Sequence, residues 1–427
     1  MRKFLLLIFL LPALFSSITV ISTEKDFVLD EEEKYHFTST AYGRYYDSIP
    51  TNPNVYEEIP TFTDSTLSKT AGKLVPDQPI QITGFYVNEE GVPIFKLKNG
   101  QFVIADKNTI YEDTVQSIED VHQEMWLKPG FILYDKVNIN GAKKVNTTLA
   151  PYTKVTIVQI VQTVKGTYAQ VDGQGWVSME FLDETDNRMD KVQEILTSKY
   201  NKADYSIYVK QLDTGKEAGI NQDQEMYSAS VTKLPYLYYV QEQLDQKKLS
   251  LDQKFKYIGA VNDFAGAYEP EGSGSIAKSA DDKEYSVQDL INRVAKESDN
   301  VAHNILGYYA TNQSDKNFQQ TINKIAGKKW DVEERQASSR MAGNVLEAIY
   351  EQNGMIIDAL SQTNYDNQRI SKNIDVKVAH KIGDAYDFKH DAAIVYADSP
   401  FIIVIFTNNS NYDNISQIAD DVYGVLK

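Results

Sequence analysis

The spacing of apolar residues over 187–427 predicts helices around a small antiparallel sheet. Apolar and polar positions alternate through Tyr205–Val209, as is typical of a strand. Two apolar runs, Ala392–Ala397 and Phe401–Phe406, are separated by a three-residue turn and predict two further strands. Near the C-terminus, four apolar residues recur at helical spacing: Ile415, Ile418, Val422 and Leu426. This order of elements predicts an α/β (α+β) domain with an antiparallel sheet flanked by helices.

Short alternating segments and glycine-containing turns predict two small all-β barrels before this domain. The spacing L-x-P-x3-[IV]-x-I begins at Leu74 and again at Leu149, an offset of 75 residues that also relates Gly100 to Gly175. A repeat at this interval indicates one module at 61–127 and another at 128–186.

The repeat resembles bacterial SH3-like and GW-type modules, through its L-x-P spacing and the corner Gly175-Trp-Val177. That resemblance implies that the modules bind a cell-wall peptide or polymer. A rigid spacer without a ligand is the alternative.

The first residues have the features of an export signal. Arg2 and Lys3 precede the apolar run Phe4–Phe15, and Val20–Ser22 offers a cleavage site. We therefore expect residues 1–22 to be a signal peptide, or an uncleaved anchor, and the protein to be secreted and associated with the cell wall or membrane. The membrane is an expected partner only if this segment is retained.

Residues 23–60 are acidic and rich in tyrosine, and prolines interrupt any regular pattern. They are predicted to form a tether. A docking patch built from the tyrosines is the alternative.

Composition narrows the partners and the compartment. The chain has 60 acidic against 43 basic residues, a net charge of −17, and this field repels nucleic-acid phosphates. The lack of cysteine excludes disulfides, cysteine nucleophiles and thiolate metal sites, and suits the outside of a Gram-positive cell. No motif indicates a metal or an organic cofactor.

Ser230 and Lys233, in the stretch SASVTKLP, have the spacing of a nucleophile and its base. A serine at the start of a helix and a lysine one turn later lie on one face. The pattern also occurs at Ser22–Lys25 and at Ser275–Lys278, so it identifies no site by itself.

Two further motifs follow in order: Ser298-Asp299-Asn300 and Lys381-Ile382-Gly383. Together with Ser230 and Lys233, they resemble the penicillin-recognising serine hydrolases, and class A β-lactamases most of all. The resemblance covers 187–427. It implies that the other two Ser-x-x-Lys patterns arise by chance.

This resemblance assigns catalytic roles to four residues. Ser230 is the nucleophile, and its own N–H helps to form an oxyanion hole. Lys233 takes the proton of Ser230 if burial and a neighbouring cation, Lys381, hold its pKa down. Ser298 and Lys381 deliver a proton to the leaving group.

Ile382 and Gly383 are expected to contact the substrate. Asn300 is expected to hydrogen-bond the substrate amide or to help to position Lys233, whereas Asp299 is expected to be structural. Ile382 stands where the family has threonine, so the hydroxyl that helps to bind a substrate carboxylate is missing. A hydrogen bond to a charged group contributes about 1.5–3 kcal/mol. Its loss favours a substrate without a free carboxylate.

The deacylating segment Glu-x-x-Leu-Asn of class A β-lactamases is also missing. In the corresponding stretch, Trp330–Tyr350, Glu333 or Glu334 is the candidate replacement, but the adjacent Arg335 and the short loop make both poor substitutes. Without that base, an acyl-enzyme is expected to hydrolyse slowly.

The leading hypothesis is a secreted wall-associated serine hydrolase that acts through an acyl-enzyme on D-alanyl amides or esters. Its polymer partner is then peptidoglycan or teichoic acid, and a β-lactam is a further ligand. The alternatives are a β-lactamase with an improvised base and a non-catalytic wall-binding scaffold with a decayed serine site.

Overall fold

The computed structural model describes residues 43–137 and 140–427. The predicted signal segment and residues 23–42 of the predicted tether lie outside these ranges. Contacts divide the described chain into two compact units. The second unit contains residues 180–427 together with 123–131 and 148–156.

The strands before residue 187 form two five-stranded sheets and one two-stranded sheet. Their bounds are β1 (Pro53–Val55), β2 (Ile59–Phe62), β3 (Thr70–Leu74), β4 (Ile82–Val87), β5 (Pro93–Leu97), β6 (Phe102–Ile104), β7 (Ile110–Glu112), β8 (Val115–Leu127), β9 (Lys154–Thr163), β10 (Gly166–Val171), β11 (Gly175–Ser178) and β12 (Leu182–Asp183). The strand orders are β3–β2–β6–β5–β4 and β11–β10–β9–β8–β12, and β1 pairs with β7.

The strand pairing differs from the predicted boundaries in two places. Pro53–Val55 lies in the range assigned to the tether, but it is a buried strand because it pairs with β7. β8 lies in the range of the first module, but it pairs within the second sheet. The second five-stranded sheet therefore begins at Val115, within the range predicted for the first module. The closure of the two sheets into SH3-like barrels stays a prediction.

The described helices and the remaining described strands belong to the second unit. Their bounds are α1 (Arg188–Tyr200), β13 (Tyr205–Gln211), β14 (Glu217–Ile220), β15 (Glu225–Tyr227), α2 (Lys233–Asp245), β16 (Lys254–Lys256), β17 (Glu284–Ser286), α3 (Val287–Lys296), α4 (Asn300–Tyr309), α5 (Lys316–Ala326), β18 (Gln336–Ser338), α6 (Ser339–Gln352), α7 (Met355–Leu360), β19 (Val378–Ala385), β20 (Phe388–Val395), β21 (Phe401–Asn408) and α8 (Tyr412–Leu426). Among the described helices, none has the length and apolar composition needed to cross a membrane.

One five-stranded sheet, with the order β14–β13–β21–β20–β19, organises this unit. Every neighbouring pair is antiparallel, so the predicted antiparallel sheet is confirmed. Its strands alternate between two cores. Ile207 and Ile405 pack with α1 and α8, whereas Tyr208 and Val404 pack with α2 to α7. The result is a sheet between two helical layers, as the sequence pattern predicted.

Candidate active site

Ser230 lies in a short 3-10 turn, Ala229–Thr232, that leads from β15 into α2. The turn begins with Ala229 at a positive φ of 47°, which costs energy for a residue other than glycine. Two contacts hold it. The Ser228 N–H donates to the Arg335 carbonyl at 2.7 Å, and the Tyr268 hydroxyl donates to the Ala229 carbonyl at 2.9 Å. The partly exposed Ser230, the predicted nucleophile, therefore lies on a turn that these two hydrogen bonds hold in place.

Lys233 is fully buried and directs its amine at four oxygens. Nζ lies 2.6 Å from the Ser298 carbonyl, 2.7 Å from Asn300 Oδ1, 3.1 Å from Ser230 Oγ and 3.3 Å from Ser298 Oγ. The first two oxygens only accept hydrogen bonds, so they take both N–H groups of a neutral amine. The lone pair is then left for the hydroxyl hydrogen of Ser230.

The pKa of Lys233 is held well below its usual value. Burial is the largest cause, and the charge of Lys381 is the second; Asp299 opposes the shift. These are the two causes that the sequence predicted. The direction of this shift favours the neutral form of Lys233, which is the form that a general base needs.

The Ser298–Asn300 turn joins α3 to α4. Two of its side chains contact the lysines of the site, and the third binds backbone N–H groups. Ser298 has a φ of 57° and contacts both lysines. The buried Asp299 carboxylate accepts three backbone N–H groups, at 2.7 to 2.9 Å, and caps α4. Asn300 binds Lys233 through Oδ1 and donates to the Glu269 carbonyl through Nδ2 at 2.9 Å. The expected structural role of Asp299 agrees with these contacts.

Lys381 reaches the same cluster from β19. Its Nζ donates to Ser298 Oγ at 2.7 Å and to the Ile382 carbonyl at 3.0 Å. Burial lowers the pKa of Lys381 to about 7, although Asp391 opposes the shift. Ser298 therefore bridges Lys233 and Lys381, as a proton relay requires.

Gly383 lets β19 approach the turn that carries Ser230. A Cβ atom there would lie 2.8 Å from the Ser228 carbonyl oxygen and 3.1 Å from Val231 Cγ2. Its neighbour Ile382 is 7% exposed and presents no hydroxyl to the site.

Two buried histidines, His380 and His390, lie on β19 and β20. His380 lies between Asp391, with both oxygens 3.0 Å from Nδ1, and Asp366, 3.1 Å from Nε2. Burial lowers its pKa, but the two carboxylates outweigh burial and raise it to about 9. Burial lowers the pKa of His390 to about 4, and its Nε2 lies 2.8 Å from the Tyr227 carbonyl. His380 and His390 thus brace the last strands.

Glu333 and Glu334 are exposed in the loop before β18. Within the described part of the chain, neither carboxylate hydrogen bonds to Ser230 or Lys233. The same loop delivers Arg335, whose guanidinium covers the ring of Tyr268, 4.1 Å from its centroid. Sequence reasoning missed Tyr268 and treated Arg335 only as an obstacle, since neither belongs to a recognisable motif.

The described residues contain no group of three or more His, Cys, Asp or Glu side chains arranged to hold a metal ion. The reactive groups brought together here belong to two lysines, two serines and an asparagine: Lys233, Lys381, Ser230, Ser298 and Asn300. This set can transfer an acyl group from a substrate to a serine.

Comparison with known proteins matches residues 187–426 to a family model described as the Beta-lactamase enzyme family. None of the curated proteins matches the chain. Solved structures that match include PBP-A, with 16% identity and a TM-score of 0.47 over 56% of this chain and 95% of that one. A β-lactamase from Sphaerobacter thermophilus is 16% identical, with a TM-score of 0.44 over 56% of this chain and 94% of that one. A β-lactamase from Chitinophaga pinensis is 20% identical, with a TM-score of 0.44 over 56% of this chain and 100% of that one. The family model covers more than half of the chain.

Proposed function

The chain belongs to the β-lactamase enzyme family, and we propose that it is a secreted, wall-associated serine hydrolase for D-alanyl esters or amides. Its substrate would be teichoic acid or peptidoglycan. The observation that carries the proposal is the buried Lys233 amine, placed 3.1 Å from Ser230 Oγ with both of its N–H groups taken by carbonyl oxygens.

In the proposed reaction, Ser230 Oγ attacks the D-alanyl carbonyl while its proton passes to Lys233 Nζ. The bond to the leaving oxygen or nitrogen then breaks, and the leaving group takes a proton through Ser298 Oγ, supported by Lys381. The acyl group is left as an ester on Ser230. Water hydrolyses that ester slowly, since no carboxylate of the described residues hydrogen bonds to Ser230.

An ester of D-alanine on teichoic acid fits this site better than a peptide with a free C-terminus. The apolar side chain of Ile382 stands where the family has a hydroxyl for a carboxylate, and a D-alanyl ester has no free carboxylate to bind. The N-terminal apolar segment and the repeated strands before residue 187 support export and attachment to the wall.

Release of D-alanine tests the proposal. The full chain is incubated with D-alanylated teichoic acid, and separately with a muropeptide ending in D-Ala-D-Ala, and free D-alanine is measured. We expect release from teichoic acid by the wild type and by Ser275→Ala, the matched control from the unused Ser-x-x-Lys pattern. Release by Ser230→Ala at the wild-type rate would exclude the mechanism, and release from the muropeptide alone would move the substrate to peptidoglycan.

Location is tested by cell fractionation. The protein is expected in the wall or membrane fraction, and recovery only from the cytoplasm would contradict this part of the proposal. Rapid turnover of a chromogenic cephalosporin would instead favour a β-lactamase.

A further inference from the structure

Two side chains outside the three motifs, Tyr268 and Arg335, lie against the catalytic amine. The buried ring of Tyr268 has its centroid 4.3 Å from Lys233 Nζ, and its hydroxyl donates to the Ala229 carbonyl. The ring is therefore fixed between the base and the turn that carries the nucleophile.

Arg335 contacts the same ring. Its guanidinium carbon lies 4.1 Å from the Tyr268 centroid, and Nη2 donates to the carbonyls of Gly266 and Ala267 at 3.2 and 2.8 Å. Within the described residues, no carboxylate forms an ion pair with Arg335. Its positive charge is thus held near Lys233 by neutral groups.

Several other titratable groups also act on Lys233. Lys381 and Lys278 add positive charge, while Asp299 is the opposing carboxylate. His303 packs edge-on against Tyr268, and burial followed by the charge of Lys233 lowers its pKa well below the usual range. His303 is therefore neutral, and Arg335 is the remaining cation.

We propose that Arg335 is a positioning residue for acylation: its guanidinium, held on the Tyr268 ring, keeps Lys233 in the neutral form that accepts the Ser230 proton. Its backbone carbonyl serves the same step, since it accepts hydrogen bonds from Ser228 N at 2.7 Å and Ser228 Oγ at 2.9 Å. Side-chain variants leave this carbonyl in place. The charge and the brace can therefore be tested separately.

The size of the charge effect follows from the geometry. Lys233 Nζ and the guanidinium carbon lie 4.3 and 4.1 Å from one centroid, so they are no more than about 8.4 Å apart. At that separation, with partial solvent screening, one charge shifts the titration of another by about one pH unit. Removing the charge of Arg335 should move the titration of Lys233 upward by this amount.

The test is a direct titration of Lys233 by NMR in the full chain, with lysine labelled at 13Cε and the resonance identified by its loss in Lys233→Met. Arg335→Gln and the bulkier Arg335→Met should titrate about one pH unit higher than the wild type. Arg335→Lys keeps the charge, so its Lys233 should titrate as in the wild type. Arg340→Gln is the matched control, since Arg340 is paired with Glu217 and Asp223, and it should also leave the titration of Lys233 unchanged. Circular dichroism verifies that each variant is folded.

An unchanged titration in both neutral variants would overturn the inference, as would an equal shift in Arg335→Lys. The rate of acylation by penicillin against pH gives a second readout. Loss of charge moves the acidic limb upward and slows acylation roughly tenfold there, whereas loss of packing alone lowers the rate evenly at every pH.

The inference rests on the proposed function for its meaning, but the two can fail separately. If penicillin does not acylate the wild type, the NMR titration still decides the role of Arg335, and only the proposed reaction fails. If acylation proceeds while the titration ignores Arg335, the proposed reaction stands and this inference fails.

Discussion

Asp299→Asn should destabilise the hydrolase unit more than any change of an exposed carboxylate. Asp299 is fully buried, and its Oδ2 accepts the N–H groups of Ser275 and Ile276 while Oδ1 accepts that of Ala302. The loop comes this close because Gly274, at a φ of 110°, has no Cβ to meet the carboxyl group. The N–H groups of Ile276 and Ala302 donate in buried surroundings, so water cannot replace the carboxylate as their partner.

The expected loss follows from counting these bonds. An asparagine that keeps its oxygen on Ser275 and Ile276 turns its NH2 group toward Ala302 N, leaving one buried donor unpaired at a cost of about 1–3 kcal/mol. The two surviving bonds lose their charge assistance, about 1 kcal/mol each. Together they predict a decrease of about 3–5 kcal/mol in the free energy of unfolding.

Urea unfolding followed by far-ultraviolet circular dichroism measures this loss, since the α-helices of the described residues lie within 188–426. Asp358→Asn is the matched control, because that carboxylate is 79% exposed in its ion pair with Lys377. The control should change stability by less than about 1 kcal/mol. Equal losses in the two variants would refute the reasoning about buried donors.

Three further changes probe the site. Ile382→Thr should speed acylation by carboxylate-bearing β-lactams roughly tenfold to a hundredfold and leave D-alanyl ester cleavage unchanged; stopped-flow acylation would contradict this by showing equal effects on both. Gly383→Ala pushes a Cβ to 2.8 Å from the Ser228 carbonyl, so it should cost about 1–3 kcal/mol of stability and slow acylation, and a fully active variant would count against that contact. Two aspartates raise the pKa of His380 from 6.5 to about 9, so its stabilisation is complete below pH 6.5 and is lost as pH rises through about 9. Across that window the urea midpoint of the wild type should fall relative to that of His380→Gln, which shares the titration of every other group; parallel curves would disprove the ion pair.

The ordered motifs predicted the composition of the site because each requirement is local in sequence. A serine and a lysine one helical turn apart, and a serine in a tight turn, are recognisable wherever they occur. The Ser298 carbonyl lies 2.6 Å from Lys233 Nζ, although the two residues are 65 positions apart in the sequence. This distance depends on how α2, α3 and β19 pack. Spacing alone does not reveal that distance.

Other features had no sequence signal. Tyr268 and Arg335 come from irregular segments, where no periodicity indicates which way a side chain points. Pro53–Val55 was predicted to be part of the acidic, tyrosine-rich tether, since three residues are too few to show alternation. All three are buried, and they pair with β7. The sequence also did not predict that β8 pairs within the second sheet. Most side chains of this long strand are exposed, so their pattern does not indicate which strand it pairs with.

Intact-mass spectrometry of the full chain after incubation with penicillin tests the central claim most directly. The account predicts a persistent adduct of one penicillin per molecule in the wild type and in Ser275→Ala, with none in Ser230→Ala. An adduct that survives in Ser230→Ala would show that another residue is the nucleophile. No adduct in the wild type, with the antibiotic unhydrolysed and no D-alanine released from teichoic acid, would contradict a working acylation site at Ser230.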